Sequence, residues 1–430
     1  MHLDRTIAPP IAELVSTDTT IKPQIIAAIS GARIHFLHNT IQPVAKVEFV
    51  FKAGKWYQPK AGVASLTAKM LMEGTTQKTA KQLADVIDFY GASMEVNHSF
   101  DRASLTLYCL AKFLPNLLPV AFEVLQQPAF QEEDLRLLKQ RVIQTLAVDK
   151  QKNSYLSSEL FTSTIYGKHH PYSTLIEETE IEAITSEDLR SFHQIHYHLP
   201  TAEIFVTGDV DEHAIELIQA ELNSTQPFTD ITVPSYPAPS TEALIGLKQL
   251  STPNKMQASI RVGKQIISPT HDDYAALYLL NHALGGYFGS RLMKNIREDK
   301  GYTYGIYSSL SMKEHDTLFT IGTDIKGDKV EETLSEIEKE ISSLQTTPMA
   351  ESELITVKKH LAGKFISDQS TIFDQMDRYR STVLLDLPAD FFVRLLSKAQ
   401  EQSSEGLQKA AISYLQKDTL LSVVAGGNAS

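Results

Sequence analysis

A chain of 430 residues is too long for one ordinary hydrophobic core and predicts two or three domains. With 42% hydrophobic and 21% charged residues it is a globular composition, not a disordered one, and a formal net charge of −12 argues against a nucleic-acid partner, whose phosphates require clustered Lys and Arg. The only cysteine, Cys109, excludes an intrachain disulfide and fits a reducing cytoplasm, though a periplasmic protein without disulfides is also compatible.

In chain order, Met1 to Arg5 leads into Pro9-Pro10 without an apolar stretch, so the start does not read as a secretory signal. No run approaches the roughly 18 apolar residues that span a bilayer. Partial alternation over residues 46–51 predicts a strand. Residues 62–72 follow as a helix carrying Leu66, Met70 and Leu71 inward, and a second helix opens near Thr79 and stops at Gly91. Residues 104–110 give a strong strand signal, and long helices are expected over 114–125 and 133–146. Further on, strands are expected at 258–262 and 319–323, a helix at 274–284 ending in Gly285-Gly286, and a hairpin from Tyr304.

The halves share a grammar. Thr185-Ser186-Glu187-Asp188-Leu189, then Tyr197, then Ile204-Phe205-Val206-Thr207-Gly208 reads as a capped helix, a short connection, a strand and a glycine turn. Ser403-Ser404-Glu405-Gly406-Leu407, Tyr414 and Leu421-Ser422-Val423-Val424-Ala425-Gly426 repeat that order about half a chain later. Between them, the proline-rich stretch from Val233-Pro234 to Pro239-Ser240 reads as an extended linker. The expected architecture is α+β: two homologous domains, 1–230 and 231–430, each a largely antiparallel sheet with helices packed on one face.

The segment Gly62-Val63-Ala64-Ser65-Leu66-Thr67-Ala68-Lys69-Met70-Leu71-Met72-Glu73-Gly74-Thr75 resembles the inverted-zincin family of pitrilysin, insulysin and the mitochondrial processing peptidase. Gly91, Asn97 and Tyr108 fit that pattern, and Tyr166-Gly167-Lys168-His169-His170-Pro171-Tyr172 is similar to its Tyr-Gly-x-His-Pro-Tyr loop with one residue more. In active members this helix carries His-x-x-Glu-His, and a Glu on a later helix completes the zinc site. Zinc requires nitrogen, sulfur or carboxylate ligands and an open position for water. The matching positions here are Ser65, Ala68, Lys69 and Thr145, which supply two hydroxyls, a methyl and an ammonium. The expectation is therefore no metal and no cofactor.

The second half resembles the family's C-terminal domain at Ile296-Arg297-Glu298-Asp299-Lys300-Gly301-Tyr302-Thr303-Tyr304. The resemblance implies that Arg297 and Tyr304 face the active site of a zinc-bearing domain. A guanidinium donates to substrate carbonyls, and a phenol donates to an oxygen gaining charge. Read without the resemblance, they are a surface helix cation and a strand aromatic. The implied protein is a non-catalytic subunit that pairs with a zinc-bearing chain containing His-x-x-Glu-His and handles extended peptide. The alternative is a homodimeric scaffold.

Other groups read blandly. His193, His196 and His198 invite a metal, but the chain is leaving its helix there and no base follows, so packing or surface roles are expected. His169-His170 has no third ligand nearby, Cys109 is expected buried in a strand, and Lys150-Gln151-Lys152 reads as a solvated loop or helix end. Residues 93–99 match the edge at which the family pairs peptide, with His98 in place of the usual small residue.

Overall fold

A computed structural model describes residues 21–28, 31–225 and 245–427. The first sheet contains β1 (Gln24–Ala27), β2 (Arg33–His38), β3 (Val44–Phe51), β4 (Ser93–His98), β5 (Ala103–Leu110) and β6 (Glu203–Gly208). Their spatial order is β1-β2-β6-β3-β5-β4, and the β2–β6 pair is parallel while the others are antiparallel. The second sheet contains β7 (Gly246–Leu250), β8 (Gln257–Gln265), β9 (Thr303–Met312), β10 (Thr317–Lys326) and β11 (Leu421–Gly426), ordered β7-β11-β8-β10-β9. Here β7–β11 is the parallel pair. Without β1, the two orders and the two parallel pairs correspond strand for strand. The expected α+β class and the internal repeat are thus both present. The expected boundary near residue 230 lies outside the described residues.

Local chemistry sets the helix ends. Thr79 and Gln82 form a reciprocal capping box before Ala80–Phe89, and Gly91 takes φ 59° just after it, a left-handed angle that favours glycine. Thr185 with Asp188 caps Ser186–His196, and Ser403 caps Ser404–Tyr414. Each of these two helices runs through a 3-10 turn, Leu199–Thr201 or Lys417–Thr419, into β6 or β11.

The pleat of β3 sends Ala45, Val47, Phe49 and Phe51 into the first core, against helices such as Leu114–Gln126. Its other face is covered too, by the Ile372–Leu384 helix from the second half. Val50, Phe205, Met376 and Tyr379 form a small apolar cluster there. Around it Lys46 Nζ donates to Asp377 (2.6 Å), Arg380 pairs with Glu48 (3.1 Å), and His35 Nδ1 lies 2.9 Å from the Tyr379 hydroxyl. The second sheet receives the reverse gift: the Asn153–Tyr166 helix of the first half lies on β8 and β11. Phe161 is buried with Leu421 and Val423, Asn153 Nδ2 donates to the Gln257 carbonyl (2.8 Å), and Arg261 Nε donates to Ser158 Oγ (3.2 Å). Each half therefore contributes one helix to the far face of the other's sheet.

A second junction is the β9–β10 hairpin tip. Glu314 there pairs with Arg102, the His315 N–H donates to the Tyr172 hydroxyl (3.1 Å), and the His315 ring stacks on Trp56 at 3.9 Å. The Tyr172 hydroxyl donates in turn to Asp101 (2.7 Å). The 166–172 loop singled out in the sequence is thus a latch between halves.

Candidate functional site: two separate clefts

The first cleft lies beside the Val63–Met70 helix. Its inward face buries Val63, Leu66 and Met70, which leaves Ser65 and Lys69, four apart, on the outer face. Ala68 is fully buried and turned away from the cleft. The Glu132–Asp149 helix runs alongside and brings Arg141 and Thr145. His98, at the end of edge strand β4, and Lys55, in a 3-10 turn after β3, close the cleft, which holds about 550 Å³.

The donor set does not fit zinc. Thr145 Oγ1 donates back to its own helix at the Arg141 carbonyl (2.9 Å), and Lys69 brings a cation where a ligand would stand. Burial, then Arg141, lowers the pKa of Lys69, and burial lowers that of Lys55. Burial, then Lys69 and Lys55, pushes His98 down to about 4, so its ring is neutral at physiological pH. No group of three or more His, Cys, Asp or Glu side chains with metal-holding geometry occurs among the described residues. Cationic side chains, among them Lys55, Lys69 and Arg141, thus line the cleft beside Asp149 and Glu180.

The second cleft, about 930 Å³, lies at the β9 edge of the second sheet and is lined by both Arg297 and Tyr304. Arg297 sits on a π-helical turn, Met293–Asp299, with its guanidinium 4.4 Å from the centre of the Phe288 ring. Tyr304 stands on β9 and is 99% exposed. The preceding Tyr274–Gly285 helix approaches β9 closely: a Cβ on Gly285 would lie 2.5 Å from the Ser308 nitrogen. Gly285 thus permits close backbone approach. The two clefts share no lining residue.

The remaining candidates have structural partners. His193 Nε2 is 2.8 Å from the Leu125 carbonyl, His196 Nδ1 is 2.8 Å from the Lys52 carbonyl, and burial pushes both down to about 4. His170 stacks on Tyr166 at 5.1 Å. Cys109 is buried in β5, with its thiol pushed up to about 11 by burial. The sequence reading missed Lys55, which falls in no recognisable pattern, and the convergence of His98 with Lys69. Among the described residues no helix is long and apolar enough to cross a membrane.

Two family models match: insulinase (peptidase family M16) over residues 33–179, and the peptidase M16 inactive domain over residues 183–361. Curated relatives include an uncharacterized zinc protease YmxG of Bacillus subtilis, 24% identical over 83% of this chain and 87% of its own length. Another, from Helicobacter pylori, is called non-peptidase homolog YmxG and is 23% identical over 87% of this chain and 88% of its own. Among solved structures, a peptidase M16 inactive domain from Pseudomonas fluorescens superposes with TM-score 0.84 and 26% identity, covering 95% of this chain and 99% of that one. The periplasmic protease PqqL of Escherichia coli superposes at 0.77 with 18% identity, all of this chain matching 48% of that one. On the combined span of the two models and the shared two-sheet architecture, the chain belongs to the peptidase M16 (insulinase) family.

Proposed function

We propose that this chain is a metal-free subunit of a zinc peptidase assembly, building part of the peptide chamber and lending Arg297 and Tyr304 to a zinc site on a partner chain. The observation that carries this reading is the separation of the two clefts. The pair opens outward together, with Tyr304 almost wholly exposed, while the chain's own zinc position holds Lys69. A guanidinium fork orients substrate carbonyls, and a phenol stabilises a developing oxyanion. Neither makes hydroxide from water, so zinc and base come from the partner. The name non-peptidase homolog carried by the Helicobacter pylori relative supports a non-catalytic role for the isolated chain. The single buried cysteine supports a cytoplasmic setting.

The test is reconstitution with a candidate chain containing His-x-x-Glu-His. Tyr304→Phe is expected to lower kcat on the order of 100-fold, and Arg297→Ala to raise KM as well, with assembly unchanged. Mixed complexes that assemble normally and cleave at the unmutated rate would overturn the assisting role in favour of a scaffold. Cleavage by the purified chain with zinc alone would overturn both.

A further inference from the structure

Lys55 and Lys69 converge on one half-buried cleft, and neither forms an ion pair with an acidic side chain among the described residues. The Lys55 ammonium instead lies 5.4 Å from the centre of the Phe100 ring. Among the other charges on the walls, Arg141 pairs with Glu73, Asp149 with Lys152 (2.8 Å), and Glu180 accepts from the Glu177 N–H (2.8 Å), while Lys168 forms no ion pair among the described residues. Burial disfavours the charged form of both lysines, so holding ammonium groups in this cleft costs stability. Cationic side chains held in a cleft without acidic partners mark a candidate anion-binding site.

We propose that this cleft binds the carboxylate of an extended peptide, received by Lys69 and Lys55. The size and setting favour a peptide over a free ion. The cleft holds about 550 Å³, and β4, whose outer edge pairs with no strand among the described residues, ends at His98 on its rim. A peptide added to that edge sends alternate side chains toward the wall carrying Lys69. Asp149 and Glu180 offset part of the positive charge of Lys55, Lys69, Arg141 and Lys168 on the same walls. The inference goes beyond the assisting role and is measured on this chain alone, so its failure leaves the reconstitution test untouched.

The experiment is a fluorescence-anisotropy titration of the full chain with three short labelled peptides of otherwise equal sequence. One has a central Glu and an amidated C-terminus, one has no acidic side chain and a free C-terminal carboxylate, and one has neither. At least one carboxylate peptide is expected to bind about ten-fold more tightly than the neutral one. Which of them does so assigns a side-chain or a terminal carboxylate. Lys69→Gln, at an exposed position, is expected to remove most of that difference while leaving the thermal midpoint unchanged or raised, and Lys55→Gln to remove the rest. Equal binding of all three peptides, no binding of any, or full discrimination in Lys69→Gln would overturn the proposal. So would displacement of the acidic peptide by inorganic phosphate at concentrations where acetate does nothing.

Discussion

The ammonium of Lys69 decides the chemistry of the first cleft, because charge at a metal position is not a graded property. A hydroxyl at Ser65 weakens a site, whereas a cation four residues on opposes it. The same burial that lowers Lys69 keeps His98 neutral, so this cleft and the histidine-containing core share a physical cause. Buried His196 and His282 are likewise pushed down to about 4 by desolvation. Their unfolded value is about 6.5, so as pH falls the unfolded chain takes up protons before the folded one. Their contribution to stability is therefore complete above about 6.5 and disappears as pH drops through about 4. Each adds a slope of up to ~1.4 kcal/mol per pH unit in that window. Urea midpoints measured from neutral pH down to about pH 4.5 are expected to decline steadily. A flat profile would show that these rings are not held neutral.

Among the elements, the exchanged helices carry most of the consequence. Phe161 stands on the Asn153–Tyr166 helix, is buried against Leu421 and Val423, and sits so close to β8 that a Cβ on Gly263 would be 3.1 Å from its ring. Phe161→Ala is expected to cost about 3–5 kcal/mol, a loss that denaturant unfolding would read directly; a change under 1 kcal/mol would mean that the helix contributes little to the second sheet. The repeat itself was legible from residues: a capped helix, a tyrosine and an apolar strand recur at Tyr197 and Tyr414, and apart from β1 the two sheets match strand for strand. Helix spacing placed Ser65 and Lys69 on one face, and the family resemblance matched them to zinc positions. The exchange was not legible. Asn153, Ser157 and Phe161 mark a buried face, but a buried stripe does not say which sheet covers it. Lys55 was hidden for a similar reason, since a 3-10 turn has no periodicity that would aim its side chain toward a helix distant in sequence.

At the scale of the molecule, the repeat and the exchange pull in opposite directions. Two copies of one topology suggest halves that fold alone, yet each copy leaves a sheet face for a helix from the other. The junction is polar as well as apolar: Glu48, Lys46 and His35 meet Arg380, Asp377 and Tyr379, and Arg102 meets Glu314 across the hairpin tip. Separating the halves would expose Phe205, Val50 and Val423 to water and leave Glu48, 4% exposed, without its cation. Glu48 would regain water once the Ile372–Leu384 helix leaves, so the cost falls chiefly on the newly exposed apolar side chains. A fragment of residues 245–427 is therefore expected to be unfolded or aggregated. The same fragment mixed with residues 21–225 should recover helical circular dichroism and co-elute as one species. The intact chain should unfold in a single transition whose calorimetric and van't Hoff enthalpies agree. Two resolved transitions, or a fragment that folds cooperatively alone, would mean that the exchanged helices decorate two independent domains. A chain that unfolds as one unit presents the outward Arg297–Tyr304 cleft and the lysine cleft in a fixed relation, which is what a wall of a peptide chamber requires.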